Sequence, residues 1–174
     1  MSRPQIDLRC FTYIDILQPQ VTGFIQTIAT GFQPLENQAA LYVEIAPGIS
    51  INLVTDVLLK RTRVVPSLQI VERAFGVLQG QSFDQGEVRA AGDAMLDYWG
   101  LKESDRKKPV IVGLQTITGI QGYHAMLVNR MRHGNMIAEN QVLVCLEVEP
   151  AGYALLAVNE AEKRAPIQVL EYRA

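Results

Sequence analysis

The chain has 174 residues, 48% of them hydrophobic and 20% charged, with a formal net charge of −2. Its composition is therefore not the polar, highly charged composition of a disordered protein. This near-neutral charge argues against nucleic acid as the main partner, because phosphate binding requires clustered Lys and Arg. No apolar stretch approaches the roughly 18 residues of a membrane span, so we expect a cytosolic protein without a membrane partner.

The first part of the chain alternates between strand-like and helix-like patterns. Apolar residues recur at helical spacing after Pro19, which suits the first turn of a helix because its missing N–H costs nothing there. Asp84, followed three residues later by Glu87, is typical of a helix start. The pattern predicts an α+β fold. The predicted elements are a strand over 8–16, a helix from Pro19 to Gly31, a strand over 39–45, a helix capped by Ser50, a strand over 68–77 and a helix from Asp84 to Trp99.

An internal repeat runs through the chain, and its matched positions are separated by 103 residues. Near the C-terminus we expect this register to slip by four residues, so that Gln69 and Glu72 match Gln168 and Glu171, with Ala174 following near Ala74. The matched residues include Gly31, Glu36, Asn37, Gln38, Glu44 and Pro47 in the first copy, and Gly134, Glu139, Asn140, Gln141, Glu147 and Pro150 in the second.

This repeat predicts two copies of one domain. We expect the first copy over residues 1–100, a polar linker over 101–109, and the second copy over 110–174. The second copy is expected to be incomplete at its C-terminus, because the last strand and helix of the first copy have no counterpart in this chain.

The sequence contains no recognisable catalytic motif. Phosphate-binding and dinucleotide-binding loops are absent, as are the Cys-x-x-Cys and His-x-x-x-His spacings of metal sites. His124 matches Val21 of the first copy, so a buried, structural imidazole is expected, while His133 is expected to be solvated. Cys10 and Cys145 lie among apolar residues and are expected to be small buried hydrophobes. We predict a protein that is not an enzyme and has no catalytic residue, cofactor or metal.

Glu72 and Arg73 form one adjacent pair of opposite charges inside an otherwise apolar stretch. Taken alone, the pair is typical of a surface ion pair at a strand end, which contributes about 0 to 1 kcal/mol.

Three segments together resemble the circularly permuted tandem-domain trimers of bacterial microcompartment shells, and within that family the tandem shell proteins of β-carboxysomes. The segments are residues 43–48 with 54–57, residues 71–76, and residues 147–153 with 159–163.

This resemblance implies a homotrimer whose six domains surround a pseudo-sixfold axis, and which tiles with other shell hexamers and pentamers of a carboxysome or related microcompartment. Two trimers can stack face to face. A loop at the axis carries adjacent Glu and Arg residues that open or close a pore, and the matching positions here are Glu72 and Arg73. The second copy has Glu171, Tyr172 and Arg173 at its comparable loop, where the tyrosine interrupts the pair.

The pores of such proteins are expected to pass small anionic metabolites, which for a carboxysome are ribulose 1,5-bisphosphate and 3-phosphoglycerate. A trimeric small-molecule-binding or sensor module remains an alternative from the sequence.

Overall fold

The first half of the chain forms one antiparallel sheet with helices on both sides. A computed structural model describes residues 5–173. The four strands of this sheet lie in the order β1, β2, β4, β3. The elements are β1 (Asp7–Ile14), α1 (Pro19–Ile28), β2 (Ala39–Ala46), α2 (Ile51–Arg61), β3 (Val65–Val71), β4 (Gly76–Ser82) and α3 (Gln85–Trp99).

The second half repeats the first four of these elements. Its two strands pair antiparallel and form a separate sheet. The elements are β5 (Val110–Ile117), α4 (Gly122–Met131), β6 (Leu143–Glu149) and α5 (Tyr153–Arg164).

Two of the predicted elements differ from the structure. The apolar stretch 68–77 is not one strand but parts of β3 and β4, because the chain reverses at residues 72–75. Ser50 does not cap α2 through its side chain, since a 3₁₀ turn at Gly48–Ser50 leads directly into that helix. Asp84 does cap α3 as predicted, because its carboxylate accepts hydrogen bonds from the amides of Gly86 and Glu87.

The first sheet has a core on each of its two sides. On one side, α2 and α3 pack on the sheet around residues such as Phe11, Leu58 and Met95. On the other side, α1 packs on the sheet around Phe24, and the second copy contributes Tyr153, Leu155 and Tyr172 to the same core. The two copies therefore share the core on this second side of the sheet, where α5 of the second copy covers part of the first copy.

The backbone confirms the duplication at matched positions. Asn37 and Asn140 both have left-handed backbone conformations, with φ angles of 68° and 67°. The side chain of Gln38 accepts a hydrogen bond from the Leu35 amide at 2.8 Å, and Gln141 accepts one from the Ala138 amide at 2.7 Å. A bulge interrupts the β1–β2 ladder and recurs at the matched place in the β5–β6 ladder.

The register of the repeat does not slip near the C-terminus, and the predicted four-residue shift is wrong there. The amide of Gly31 donates to the carbonyl of Ser67 at 2.9 Å, and that of Gly134 donates to the carbonyl of Leu170 at 2.9 Å. Both pairs keep the 103-residue offset. Residues 171–173 therefore match residues 68–70 of β3. The predicted equivalence of Ala174 with Ala74 lies outside the described residues.

Candidate functional site: the β3–β4 loop and the junction between the copies

The predicted gate residues lie in an exposed loop. Residues 72–75 connect β3 to β4, and the Glu72 amide donates a hydrogen bond to the Phe75 carbonyl at 2.9 Å. The side chains of Glu72 and Arg73 are exposed, and neither forms an ion pair or side-chain hydrogen bond within residues 5–173. Both charges are therefore available to groups outside this chain.

Two glycines place this loop against the start of α2. A Cβ atom at Gly48 would lie 2.3 Å from the Phe75 carbonyl oxygen and 2.6 Å from that of Glu72. A Cβ atom at Gly76 would lie 2.3 Å from the Gly48 carbonyl oxygen. Since these neighbours are backbone atoms, only glycine permits the approach. The second copy has Ala151 at the position that matches Gly48.

The predicted second-copy loop residues do not lie in a comparable loop. Tyr172 is buried at the junction between the copies, where its hydroxyl donates to the Tyr42 hydroxyl at 2.9 Å. Glu171 accepts a hydrogen bond from the His133 amide at 2.9 Å and pairs with Arg173 at 3.1 Å. In the register of the repeat these residues match β3 and precede the matched loop, so the structure does not group them with Glu72 and Arg73.

A buried carboxylate joins the two copies. The Glu44 side chain is fully buried and accepts a hydrogen bond from Arg9 Nε at 2.5 Å. Its other oxygen accepts from the Gly152 amide of the second copy at 2.9 Å. Sequence reasoning did not identify this contact, although a lone carboxylate in an apolar strand is a signal, because buried charges are normally paired.

Helix α5 also supplies hydrogen-bond acceptors to the N-terminus of α1. The Glu162 carboxylate accepts from the amides of Gln20 at 2.9 Å and Val21 at 3.1 Å. Asn159 accepts from the Gln18 amide at 3.0 Å. These contacts satisfy amides that a helix leaves without internal partners, and the carboxylate complements the positive end of the helix dipole.

The matched surface of the second copy is exposed. His124 and Cys145 are both exposed, so their predicted burial is wrong in the single chain, whereas Cys10 is buried as predicted. The physical reason is that α5 covers Val21 and Tyr42 of the first copy, while no described element of the chain covers their matches. His133 is exposed as predicted.

Within residues 5–173, no group of three or more His, Cys, Asp and Glu side chains is arranged to hold a metal ion. No helix in the same range is long and apolar enough to cross a membrane.

Known proteins with similar sequences are shell proteins. The family described as the CsoS1D N-terminal domain matches residues 8–105. The carboxysome shell protein CcmP of Synechococcus elongatus is 46% identical over 97% of this chain and 79% of its own length. The carboxysome shell protein CsoS1D of Hydrogenovibrio crunogenus is 39% identical over 97% of this chain and 83% of its own.

Solved structures with the same fold come from another microcompartment. The fused permuted hexameric shell protein MSM0275 of the RMM microcompartment has a TM-score of 0.93 and 43% identity, covering 96% of this chain and 82% of its own. The double ringed trimeric shell protein MSM0271 has a TM-score of 0.87 and 36% identity, covering 93% and 78%. The similar folds are thus permuted tandem-domain shell folds.

Proposed function

This chain belongs to the family of carboxysome shell proteins, which are structural proteins and not enzymes, and from that membership we propose that its trimers form a gated metabolite pore. The observation that carries the proposal is the agreement in fold, at a TM-score of 0.93, with a shell protein described as fused, permuted and hexameric. A fused chain with two copies of one domain needs three chains to supply six domains.

We expect the native particle to contain three chains, or six if two trimers stack face to face. The mass in solution, measured by light scattering or native mass spectrometry at micromolar concentration, checks this. Hexagonal sheets or stacked discs in electron micrographs would show the tiling with other shell hexamers and pentamers. A monomeric particle would contradict the proposal.

The proposed gate consists of Glu72 and Arg73 from three chains. Support comes from the loop, which exposes both charges, and neither has a partner among residues 5–173. At a threefold axis they can pair between subunits, and each exposed pair contributes about 0 to 1 kcal/mol. Open and closed states then differ by only a few kcal/mol, which is the range in which a ligand shifts the equilibrium.

Two single substitutions should affect pore passage differently. Glu72→Ala leaves three Arg73 side chains without a counter-charge, and their repulsion favours an open pore lined by guanidinium groups. Arg73→Ala also opens the pore but lines it with carboxylates, which repel anions. We expect the flux of 3-phosphoglycerate through reconstituted shells to be higher in Glu72→Ala than in the unchanged protein. In Arg73→Ala we expect a flux well below that of Glu72→Ala.

The matched control for this experiment is Lys108→Ala, which removes an exposed charge far along the chain from the loop. Equal flux in all three variants would show that Glu72 and Arg73 form an ordinary surface ion pair and do not gate the pore. We propose ribulose 1,5-bisphosphate and 3-phosphoglycerate as the metabolites, because their phosphate oxygens suit the guanidinium geometry of Arg73.

A further inference from the structure

Arg9 lies between the loop at residues 72–75 and the junction between the copies. Its guanidinium carbon lies over the Phe75 ring, 5.6 Å from the ring centroid. Its Nε donates to the Glu44 carboxylate, whose other oxygen accepts from the Gly152 amide of the second copy. One side chain therefore contacts the loop directly and the second copy through a single carboxylate.

A β-bulge turns Arg9 toward these partners. The register of the β1–β2 ladder shifts between Leu8 and Cys10, so Arg9 has no Cα partner in β2. Leu8 belongs to the core on the side of α2 and α3, and Cys10 to the core on the side of α1. In a regular strand Arg9 and Cys10 would point to opposite faces. The additional residue of the bulge lets both side chains lie on the α1 side.

The Phe75 ring ties the loop to this arginine. The ring is half-buried and packs against the core on the α1 side, while the Phe75 carbonyl accepts from the Glu72 amide at 2.9 Å and closes the loop. The Arg9 side chain is only 24% exposed, so its contact with the ring is partly desolvated and stronger than one at the open surface. A loop that moved away would take the ring off the guanidinium.

We infer that Arg9 is a positioning residue that couples the conformation of the 72–75 loop to the junction between the copies. With the ring in place, the guanidinium is held at Glu44, and the carboxylate is held at the Gly152 amide. Loosening either end frees the side chain on which the other end depends. A coupling free energy between two sites acts equally in both directions, so the junction also stabilises the loop.

The coupling adds a second point of control to the loop, and this part of the inference rests on the proposed gate. Loop states that differ by a few kcal/mol shift in population when one of them gains or loses a contact. In the second copy, Val112 takes the place of Arg9 beside Glu147, the match of Glu44. Valine offers no guanidinium at this place, so we assign the coupling to the first copy.

Hydrogen–deuterium exchange at two amides of the full chain tests the coupling. The Glu72 amide bonds the Phe75 carbonyl and reports opening of the loop, while the Gly152 amide bonds Glu44 and reports opening of the junction. Phe75→Leu removes the aromatic face and keeps an apolar side chain. We expect exchange to become about three- to tenfold faster at both amides, as loss of a partly buried cation–π contact implies. Phe75→Tyr keeps the ring and should restore both rates.

A substitution at the junction tests the opposite direction. Glu44→Gln removes the charge that holds Arg9, so exchange at the Glu72 amide should become faster although the loop sequence is unchanged. When Glu44→Gln is combined with Phe75→Leu, the two increases should not multiply, because both substitutions release the same guanidinium. In an Arg9→Met background, Phe75→Leu should no longer change exchange at Gly152. If Arg9→Met does not fold, the combination of the other two substitutions decides.

Two control variants separate this coupling from general destabilisation. Arg89→Met removes another guanidinium that lies over an aromatic ring, 5.0 Å from the Tyr13 centroid. Tyr172→Phe removes a different hydrogen bond of the same junction, the one to the Tyr42 hydroxyl. Neither contact involves Arg9, so both variants should leave exchange at the Glu72 amide unchanged.

The outcomes distinguish the coupling from the gate. Exchange at Gly152 that does not respond to Phe75→Leu would overturn the inference and leave the proposed gate standing. A response of Gly152 that persists in the Arg9→Met background would overturn it too, because the junction would then sense the loop by another route. Coupled exchange together with unchanged flux of 3-phosphoglycerate in Phe75→Leu would support the coupling and contradict the gate.

Discussion

Glu44→Ala is expected to lower the free energy of unfolding by about 3 kcal/mol. The substitution removes the carboxylate that accepts hydrogen bonds from the Gly152 amide and the Arg9 guanidinium. Both donors are then left without this partner, next to the buried space that the carboxylate occupied. Breaking a buried ion pair at one partner costs about 3 to 5 kcal/mol, and the low end applies because the Arg9 side chain keeps 24% exposure. Urea denaturation followed by circular dichroism measures the loss.

The matched control is Glu36→Ala, which removes an exposed carboxylate from the same copy and should change the free energy of unfolding by less than about 0.5 kcal/mol. Glu44→Gln keeps the size and one acceptor oxygen, so its loss should lie between those of Glu44→Ala and the control. If Glu44→Ala unfolded at the same urea concentration as Glu36→Ala, the buried pair would not hold the copies together.

Most helices and strands could be predicted from local patterns in the first copy and from the repeat in the second. The long-range contacts between the copies could not be predicted. Local spacing predicted α1 and α3 because apolar periodicity and capping residues act within one element. The contact of Glu44 with Gly152 joins residues 108 positions apart, and no local pattern contains it. Only the presence of a carboxylate in the apolar strand β2 indicated that a partner exists.

The errors at the 72–75 loop and in the register of the repeat near the C-terminus also have physical reasons. A largely apolar stretch over 68–77 predicts a strand, but apolar periodicity does not show where a hairpin reverses. Glu72 and Arg73 are the only charged residues in that stretch. The slip of the repeat was inferred from matching side chains at Gln168 and Glu171. Backbone hydrogen bonds, which the structure preserves between the copies, determine the register instead.

The burial of the second copy illustrates a different kind of error. The match with Val21 predicted a buried side chain for His124, and apolar neighbours predicted one for Cys145, but the single chain exposes both. Periodicity identifies the face of an element that can be covered but not the molecule that covers it.

Gly48→Ala is expected to displace the loop that carries Glu72 and Arg73 without altering either charge. The new Cβ atom would lie 2.3 Å from the Phe75 carbonyl oxygen and 2.5 Å from its carbon, so the loop backbone must move by roughly 1 Å to reach ordinary contact. Overpacking of this kind costs about 1 to 3 kcal/mol. Thermal unfolding measures that loss, and a crystal structure of the variant measures the shift of the loop.

Gly23→Ala is the matched control for Gly48→Ala, because it is the same substitution inside α1, where a Cβ atom would meet nothing within 4 Å. Alanine in a helix interior should stabilise the protein by about 0.5 to 1 kcal/mol, so the two variants are expected to shift the melting temperature in opposite directions. If backbone contact at Gly48 sets the pore, flux of 3-phosphoglycerate should change in Gly48→Ala although all six charges remain, and should stay unchanged in Gly23→Ala. A Gly48→Ala structure with the loop in its original place would show that the turn before α2 does not position the gate.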